Sequence, residues 1–261
     1  MTSDDDRLAA DLAREAGNRL LALRAGGGDP TQLRKAGDRL SHEFLTEQLA
    51  ARRPGDAVLS EEGRDDPVRL SADRVWIVDP LDGTREFGEP DRTDWAVHVA
   101  LWERGTLTAG AVALPAQGQV LATLEPPARP PAPAGAAGGA SSQPAGQLRL
   151  LVSRTRPPEF MPRLAELVGG TMVPLGSAGA KAAVVIRGEA EAYVHAGGQY
   201  EWDSAAPAAV AVAAGLHASR LDGSPLRYNQ PDPLLPDILI CSAALAGTLL
   251  DAISAAGAPR P

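Results

Sequence analysis

The chain has 261 residues, one cysteine and a formal net charge of −8. That length allows one large domain or two modest ones. A lone cysteine excludes a disulfide framework within the chain, and the negative balance argues against a nucleic-acid partner. The stretch Met1 to Asp6 is acidic rather than basic, and no apolar run reaches about 18 residues, so a cytoplasmic protein with neither targeting segment nor membrane partner is expected.

Leu8, Leu12, Leu20 and Leu23 recur at helical spacing and predict a helix over residues 5–24, ended by Gly26-Gly27-Gly28-Asp29-Pro30. No Lys-Ser/Thr follows those glycines at phosphate-loop spacing, which favours a plain connection. A second helix is expected from Asp38 to Arg52, with Leu40, Phe44, Leu45 and Leu49 as its apolar positions. Strands are expected at 57–60, 75–79, 94–102, 107–114 and 119–124, with Glu103-Arg104-Gly105 as a hairpin turn. His98 lies in an apolar run and reads as a strand-surface or satisfied core histidine rather than a metal ligand. The run Pro126 to Gly146 is almost all Pro, Ala, Gly and Ser, and is expected to be a loop or linker between halves of residues 1–125 and 147–261.

The second half alternates element types. Strands are expected at Leu148–Val152, Met172–Leu175, Ala190–His195 and Asp237–Ser242. Helices are expected at Pro158–Val168, Ser177–Arg187, Ser204–Ala214 and about 244–255. Such alternation predicts an α/β fold. Cys241 follows Ile238-Leu239-Ile240 and reads as a small buried strand residue.

Acids collect at four element ends. The apolar run Val75-Trp76-Ile77-Val78 ends in Asp79-Pro80-Leu81-Asp82-Gly83-Thr84. Asp79 and Asp82 offer the hard oxygens that suit Mg²⁺. Gly83 lets backbone approach a ligand, and a helix starting here turns free N–H groups toward an anion. Glu61-Glu62 ends the run Ala57 to Ser60, Asp203 follows Trp202 ahead of an alanine-rich helix, and Asp38 opens the second helix. Each acid alone is compatible with an N-cap or a solvated loop.

In this order, Glu61-Glu62, Asp79-Pro80-Leu81-Asp82-Gly83-Thr84 and Trp202-Asp203 resemble the lithium-sensitive, magnesium-dependent phosphatases of the inositol monophosphatase superfamily. Leu59-Ser60-Glu61-Glu62, Asp82 to Phe87, the hairpin Trp95 to Leu114 and Asp222-Gly223-Ser224-Pro225-Leu226 are similar to its CysQ-type 3′(2′),5′-bisphosphate nucleotidases. The resemblance implies a layered αβαβα sandwich and two or three Mg²⁺ ions, one held by Glu61, Asp79 and the Leu81 carbonyl and another by Asp79, Asp82 and Asp203. Glu62 either binds a further ion through water or orients its neighbours. Thr84 would partner the attacking water and pass its own hydrogen bond to Asp38, although Lys35-Ala36-Gly37 replaces the usual Val-Thr ahead of that Asp.

Leu81, Asp82, Gly83, Thr84 and Asp203 would meet the scissile phosphate. Ser153, Arg154, Ser177, Lys181 and Tyr200 are candidates for the rest of the substrate. Of these, Lys181 is either a snorkelling surface residue or a phosphate contact, and residues 153–156 are either an exposed basic loop or a second-phosphate site. Tyr200 is a candidate to stack on a base. The implied activity is removal of the 3′-phosphate of a small phosphorylated nucleotide, 3′-phosphoadenosine 5′-phosphate, in sulfate assimilation, by a Li⁺-inhibited homodimer. Inositol monophosphatase or fructose-1,6-bisphosphatase activity would use the same metal core, and an inactive metal-binding regulatory protein is the alternative of another class.

Overall fold

The computed structural model describes residues 3–128 and 147–259, which stack in five alternating layers of helix and sheet. The outermost layer is α1 (Ser3–Ala25) and α2 (Pro30–Arg52). Their apolar stripes, Leu8, Leu12, Ala16 and Leu20 on one and Phe44, Leu45 and Leu49 on the other, are buried against one face of the first sheet. That sheet is β1 (Ala57–Ser60), β2 (Arg74–Asp82), β3 (Ala96–Glu103), β4 (Thr106–Leu114) and β5 (Gln119–Ala122), side by side in chain order. The β1–β2 pair is parallel and the remaining pairs are antiparallel.

The pleat sorts the side chains. Trp76, Val78, Val97, Val99 and Leu101 face α1 and α2, whereas Val75, Ile77, Ala96, Ala100 and Val112 face the central layer. That layer is α5 (Ala178–Ile186) and α6 (Glu201–Ala213), whose many alanines allow close packing between two sheets. The second sheet contains β6 (Leu148–Ser153), β7 (Gly170–Leu175), β8 (Ala192–Ala196), β9 (Leu216–Ser219) and β10 (Asp237–Ser242), in the spatial order β7-β6-β8-β10-β9. Its outer face buries Leu150, Val152, Val194, Leu239 and Cys241 against α4 (Met161–Val168) and α7 (Ala246–Ala255). A four-residue helix, α3 (Thr84–Phe87), follows β2. The expected αβαβα layering is therefore present. Among the described residues no helix is long and apolar enough to cross a membrane.

Three expectations need correction. The second helix starts at Pro30, where Asp29 accepts the N–H groups of Thr31 and Gln32 at 3.0 Å each, so Asp38 sits inside the helix and does not cap it. Gly37, just ahead of Asp38, is a packing position: a Cβ there would stand 2.8 Å from Phe87 and 3.0 Å from Leu81. The alanine-rich helix starts at Glu201, which puts Asp203 in its first turn. Leu216–Ser219 is a strand that the sequence did not announce; it is short, only partly buried and paired to β10 alone. Most of the Pro/Ala/Gly-rich run lies outside the described residues.

Candidate active site

The end of β2 is built to expose acids from a buried strand. Its pairing with β3 shifts register between Asp79 and Asp82, so both carboxylates emerge within one irregular step. Asp79 accepts the Leu81 N–H at 3.0 Å. Gly83 then turns the chain at φ 84, and a Cβ there would lie 3.1 Å from both the Asp94 carbonyl and the Ser177 side chain. Thr84 follows, with its Oγ1 3.0 Å from the Leu81 carbonyl and 3.2 Å from Asp38 Oδ1.

Asp82 is braced from the second half of the chain. It accepts the Ser177 hydroxyl at 2.5 Å and the Ala178 and Gly179 N–H groups at 3.1 and 2.6 Å. Ser177 holds φ 53, a costly conformation for a residue with a Cβ, and also caps α5 by accepting the Ala180 N–H. His98 Nε2 lies 3.2 Å from Asp82, an ion contact without hydrogen-bond geometry, while its Nδ1 is 3.1 Å from the Trp202 carbonyl. Burial alone would raise the Asp82 pKa, but His98, Lys181 and Ser177 hold it below the usual carboxylate range. Burial alone would likewise lower the His98 pKa, and Asp82 reverses that direction.

The other acids are held up. Burial, then Glu61 and Asp82, push Asp79 well above its ordinary value. Asp203 accepts the Tyr200 N–H at 2.8 Å, and burial followed by Asp82 raises it to about 7. Glu61 stands at the rim, where the atoms crowded around its carboxyl and then Asp203 raise it to about 7. Oxygens of Asp79, Asp82 and Asp203 lie within 4.8 Å of one another. Among the described residues, His98 and Lys181 are the cations that act most strongly on this cluster, fewer than the four acids Glu61, Asp79, Asp82 and Asp203. Such a surplus of hard, anionic oxygens fits a divalent metal cofactor.

The cluster opens into a cleft of about 580 Å³, lined by Glu61, Asp79, Leu81, Asp82, Gly83, Thr84, Ser153, Arg154, Ser177, Lys181 and Asp203 from the sequence-based set. Asp38 joins them through Thr84. Lys181 is buried and does not snorkel: its Nζ donates to the Ser177 carbonyl at 2.6 Å and lies 5.1 Å from the Tyr193 ring centre. Burial lowers its pKa to about 8. Arg154 faces the cleft, yet its guanidinium is held by Glu86 at 2.6 Å and Glu89 at 2.9 Å.

Tyr200 does not line the cleft. Trp202 covers one of its ring faces at 4.8 Å, and the ring is otherwise exposed. Glu62 and Lys35 are exposed and also lie outside the lining. The sequence reading missed Arg85, Glu86, His195 and Gln199 in the lining, and His98 beneath it, whereas Arg156 of the 153–156 loop lines the cleft as that reading allowed. Only strand register places His98 directly opposite Asp79. Cys241 is a buried strand residue, as expected, and burial pushes its thiol up to about 12.

The description "Inositol monophosphatase family" matches residues 6–256. The chain is 55% identical over 247 residues to a 3′-phosphoadenosine 5′-phosphate phosphatase of Mycobacterium bovis, covering 92% of this chain and 90% of that protein. It is 31% identical to the 3′(2′),5′-bisphosphate nucleotidase CysQ of Salmonella typhimurium, covering 86% and 94%. The crystal structure of CysQ from Bacteroides thetaiotaomicron superposes with a TM-score of 0.76 at 26% identity, covering 92% of this chain and 97% of that one. The match along nearly the whole chain and the layered fold that carries the acids agree: the chain belongs to the inositol monophosphatase family.

Proposed function

We propose that this chain is a Mg²⁺-dependent phosphatase that removes the 3′-phosphate of 3′-phosphoadenosine 5′-phosphate, giving AMP, and that also accepts the related sulfonated nucleotide. The observation that carries this reading is a carboxylate cluster sharing one cleft with Lys181, Arg85 and Arg156. The acids suit hard cations, and the basic groups suit a substrate with a second anion. The relatives named above as 3′-phosphoadenosine 5′-phosphate phosphatase and 3′(2′),5′-bisphosphate nucleotidase support the same substrate class.

In this reading Glu61, Asp79, the Leu81 carbonyl, Asp82 and Asp203 hold two or three Mg²⁺ ions. When bound, Mg²⁺ supplies positive charge that eases the ionisation of water and stabilises charge on the leaving oxygen. Thr84 orients the attacking water with its Oγ1 lone pair while its own proton goes to Asp38. Ser177 and the first N–H groups of α5 fix the Asp82 carboxylate, so that it enters the site already oriented. Because Arg154 is committed to Glu86 and Glu89, it acts as a strut between the halves, and Arg156 and Lys181 take the distal phosphate.

The same reading includes inhibition by Li⁺ at a Mg²⁺ position, a homodimer, a cytoplasmic location and a role in clearing a by-product of sulfate assimilation. Rates on 3′-phosphoadenosine 5′-phosphate, inositol 1-phosphate and fructose 1,6-bisphosphate, measured side by side with Mg²⁺, test it. The nucleotide should have the highest kcat/KM by at least about tenfold, a difference of roughly 1.4 kcal/mol. A preference for either sugar phosphate would overturn the assignment.

A further inference from the structure

The cleft wall that follows β8 contains two buried acceptors with nothing to accept. β8 ends at His195 and Ala196, turns through Gly197 and Gly198, and delivers Gln199 just before α6. His195 is 4% exposed and Gln199 is 6% exposed, and both line the cleft. Backbone bonds secure this turn from behind: Gly197 N–H donates to the Pro236 carbonyl, Leu235 N–H to the Gln199 carbonyl at 2.9 Å, and Glu201 N–H to the Pro233 carbonyl at 2.8 Å.

Local bonding fixes the His195 tautomer and places the Gln199 amide nitrogen toward Tyr193. His195 Nε2 lies 2.7 Å from the Gly197 carbonyl, which only accepts, so Nε2 carries the ring proton. Nδ1 is then a lone pair, and it is buried without a partner. Gln199 Nε2 donates to the Tyr193 hydroxyl at 2.7 Å, and its Oε1 is also buried without a partner. Burial, together with Lys181 and Arg156, holds the imidazole down at about 4, so it is neutral near pH 7. Neither Lys181 nor Arg156 donates to these two atoms.

Buried polar atoms normally find partners, and an orphan is a cost unless something else supplies the missing half of the bond. Two unpaired acceptors on residues that line one cleft repel a phosphate oxygen and a ring carbonyl alike. They match a group that donates, N–H or O–H. We infer that His195 Nδ1 and Gln199 Oε1 form an acceptor pair that reads a hydrogen-bond donor on the nucleoside part of the substrate. This inference rests on the nucleotide reading above and adds the specificity residues to it. Adenosine in this substrate carries two such donors, the exocyclic amine of the base, remote from the scissile phosphate, and the ribose 2′-hydroxyl on the carbon beside it. A 6-oxo purine presents an acceptor at the first position, and a deoxyribose removes the second donor.

The test uses the Mg²⁺-loaded enzyme and three substrates: 3′-phosphoadenosine 5′-phosphate, its inosine counterpart and its 2′-deoxy counterpart. Either the inosine or the deoxy compound should lose roughly 10- to 100-fold in kcat/KM, mostly through KM, because the lost bond leaves a buried acceptor unpaired. The compound that suffers identifies which donor is read. Calorimetric binding of AMP, IMP and 2′-deoxy-AMP gives the same order without turnover. In Gln199→Met and His195→Phe the discrimination should shrink toward unity, and Gln199→Glu, which keeps an acceptor, should retain more of it than Gln199→Met. Equal kcat/KM and equal affinity across the three wild-type comparisons would overturn the acceptor pair while leaving the phosphatase reading intact, and they require no folded variant. Persistence of full discrimination in both folded variants would also overturn it. Failure to hydrolyse the adenosine compound, with turnover of inositol 1-phosphate, would overturn both readings together.

Discussion

Thr84 Oγ1 lies 3.2 Å from Asp38 Oδ1, although 46 positions separate the two residues. The pair forms because α2 passes behind the end of β2, with Leu81 and Phe87 packed against the bare Gly37 that precedes Asp38. Helix, strand end and the Thr84 hydroxyl are thus one packing unit. Burial, then Glu62, holds the Asp38 carboxyl up at about 6, so it is ionised and able to accept from Thr84 at neutral pH.

Thr84→Val should therefore lower kcat by about 10²- to 10⁴-fold, the usual range for a positioned proton-transfer group. Thr84→Ser should keep most of the rate, and Asp38→Asn should fall between them. Steady-state kinetics with circular dichroism on each variant checks this. A folded Thr84→Val protein with wild-type kcat would remove Thr84 from the mechanism.

Metal binding should release protons. Glu61 and Asp203 titrate near about 7 and Asp79 is also raised, so below that pH these groups hold protons that a cation must displace. Mg²⁺ affinity should rise from about pH 6 to about pH 8, and calorimetry in buffers of different ionisation heat should find proton release at the lower pH and little at the higher. Stability of the metal-free protein runs the opposite way. These groups titrate higher folded than unfolded, so their contribution is fully present below about pH 4 and is lost as pH rises through about 7. The thermal shift on adding Mg²⁺ should accordingly grow with pH. Affinity and thermal shift that ignore pH over this range would contradict the assignment of these acids.

Gly179 leaves room for His98. A Cβ at that position would fall 2.1 Å from His98 Nε2, and the ring is tied on its far side to the Trp202 carbonyl. Gly179→Ala should cost about 1–3 kcal/mol, as overpacked sites do, and should weaken Mg²⁺ binding through the displaced Asp82 contact. Thermal melts and a Mg²⁺ titration read the two effects. A variant with unchanged melting temperature would show that His98 has freedom that its contacts do not suggest.

Arg69 ties the segment after Glu61 to the start of α6. Its guanidinium, buried beneath Asp65, donates to Asn229 Oδ1 at 2.8 Å and the Gln230 carbonyl at 2.9 Å, while Glu201 accepts the N–H groups of those same two residues. Arg69→Met should cost about 2–4 kcal/mol because several buried acceptors lose their donor at once. It should also raise the Mg²⁺ concentration needed for half-maximal rate, since Glu201 lies two residues before Asp203. Denaturant melts and the Mg²⁺ dependence of kcat check the pair of effects. A loss of stability with unchanged Mg²⁺ demand would limit Arg69 to a structural role.

Much of the architecture was legible because apolar periodicity survives in this alanine-rich chain. Leu8, Leu12 and Leu20 marked α1, and the run Val75 to Val78 marked β2. The acids were legible because they sit together in short motifs at element ends. Asp38 was placed at a helix start because an Asp ahead of Leu40, Phe44, Leu45 and Leu49 matches an N-cap, and sequence does not reveal that Phe87 packs against Gly37 within the same helix. His98, Gln199 and the braces on Asp82 were not legible for a different reason. Each depends on which strand or helix from elsewhere in the chain lies opposite, and a one-residue register change would send His98 to the other face. Arg154 looked free because its partners, Glu86 and Glu89, are more than 60 positions away.

The most direct test of the central claim is phosphate release from 3′-phosphoadenosine 5′-phosphate with Mg²⁺ and with a chelator, on wild-type and Asp79→Asn enzyme of matched fold. Asp79 is the buried acid on which Glu61, Asp82 and Asp203 all act, and it should be indispensable. The account predicts rapid release of one phosphate and formation of AMP by the wild type with Mg²⁺, and near-complete loss of release with chelator or with Asp79→Asn. Release that persists after chelation, or at wild-type rate in folded Asp79→Asn, would contradict it.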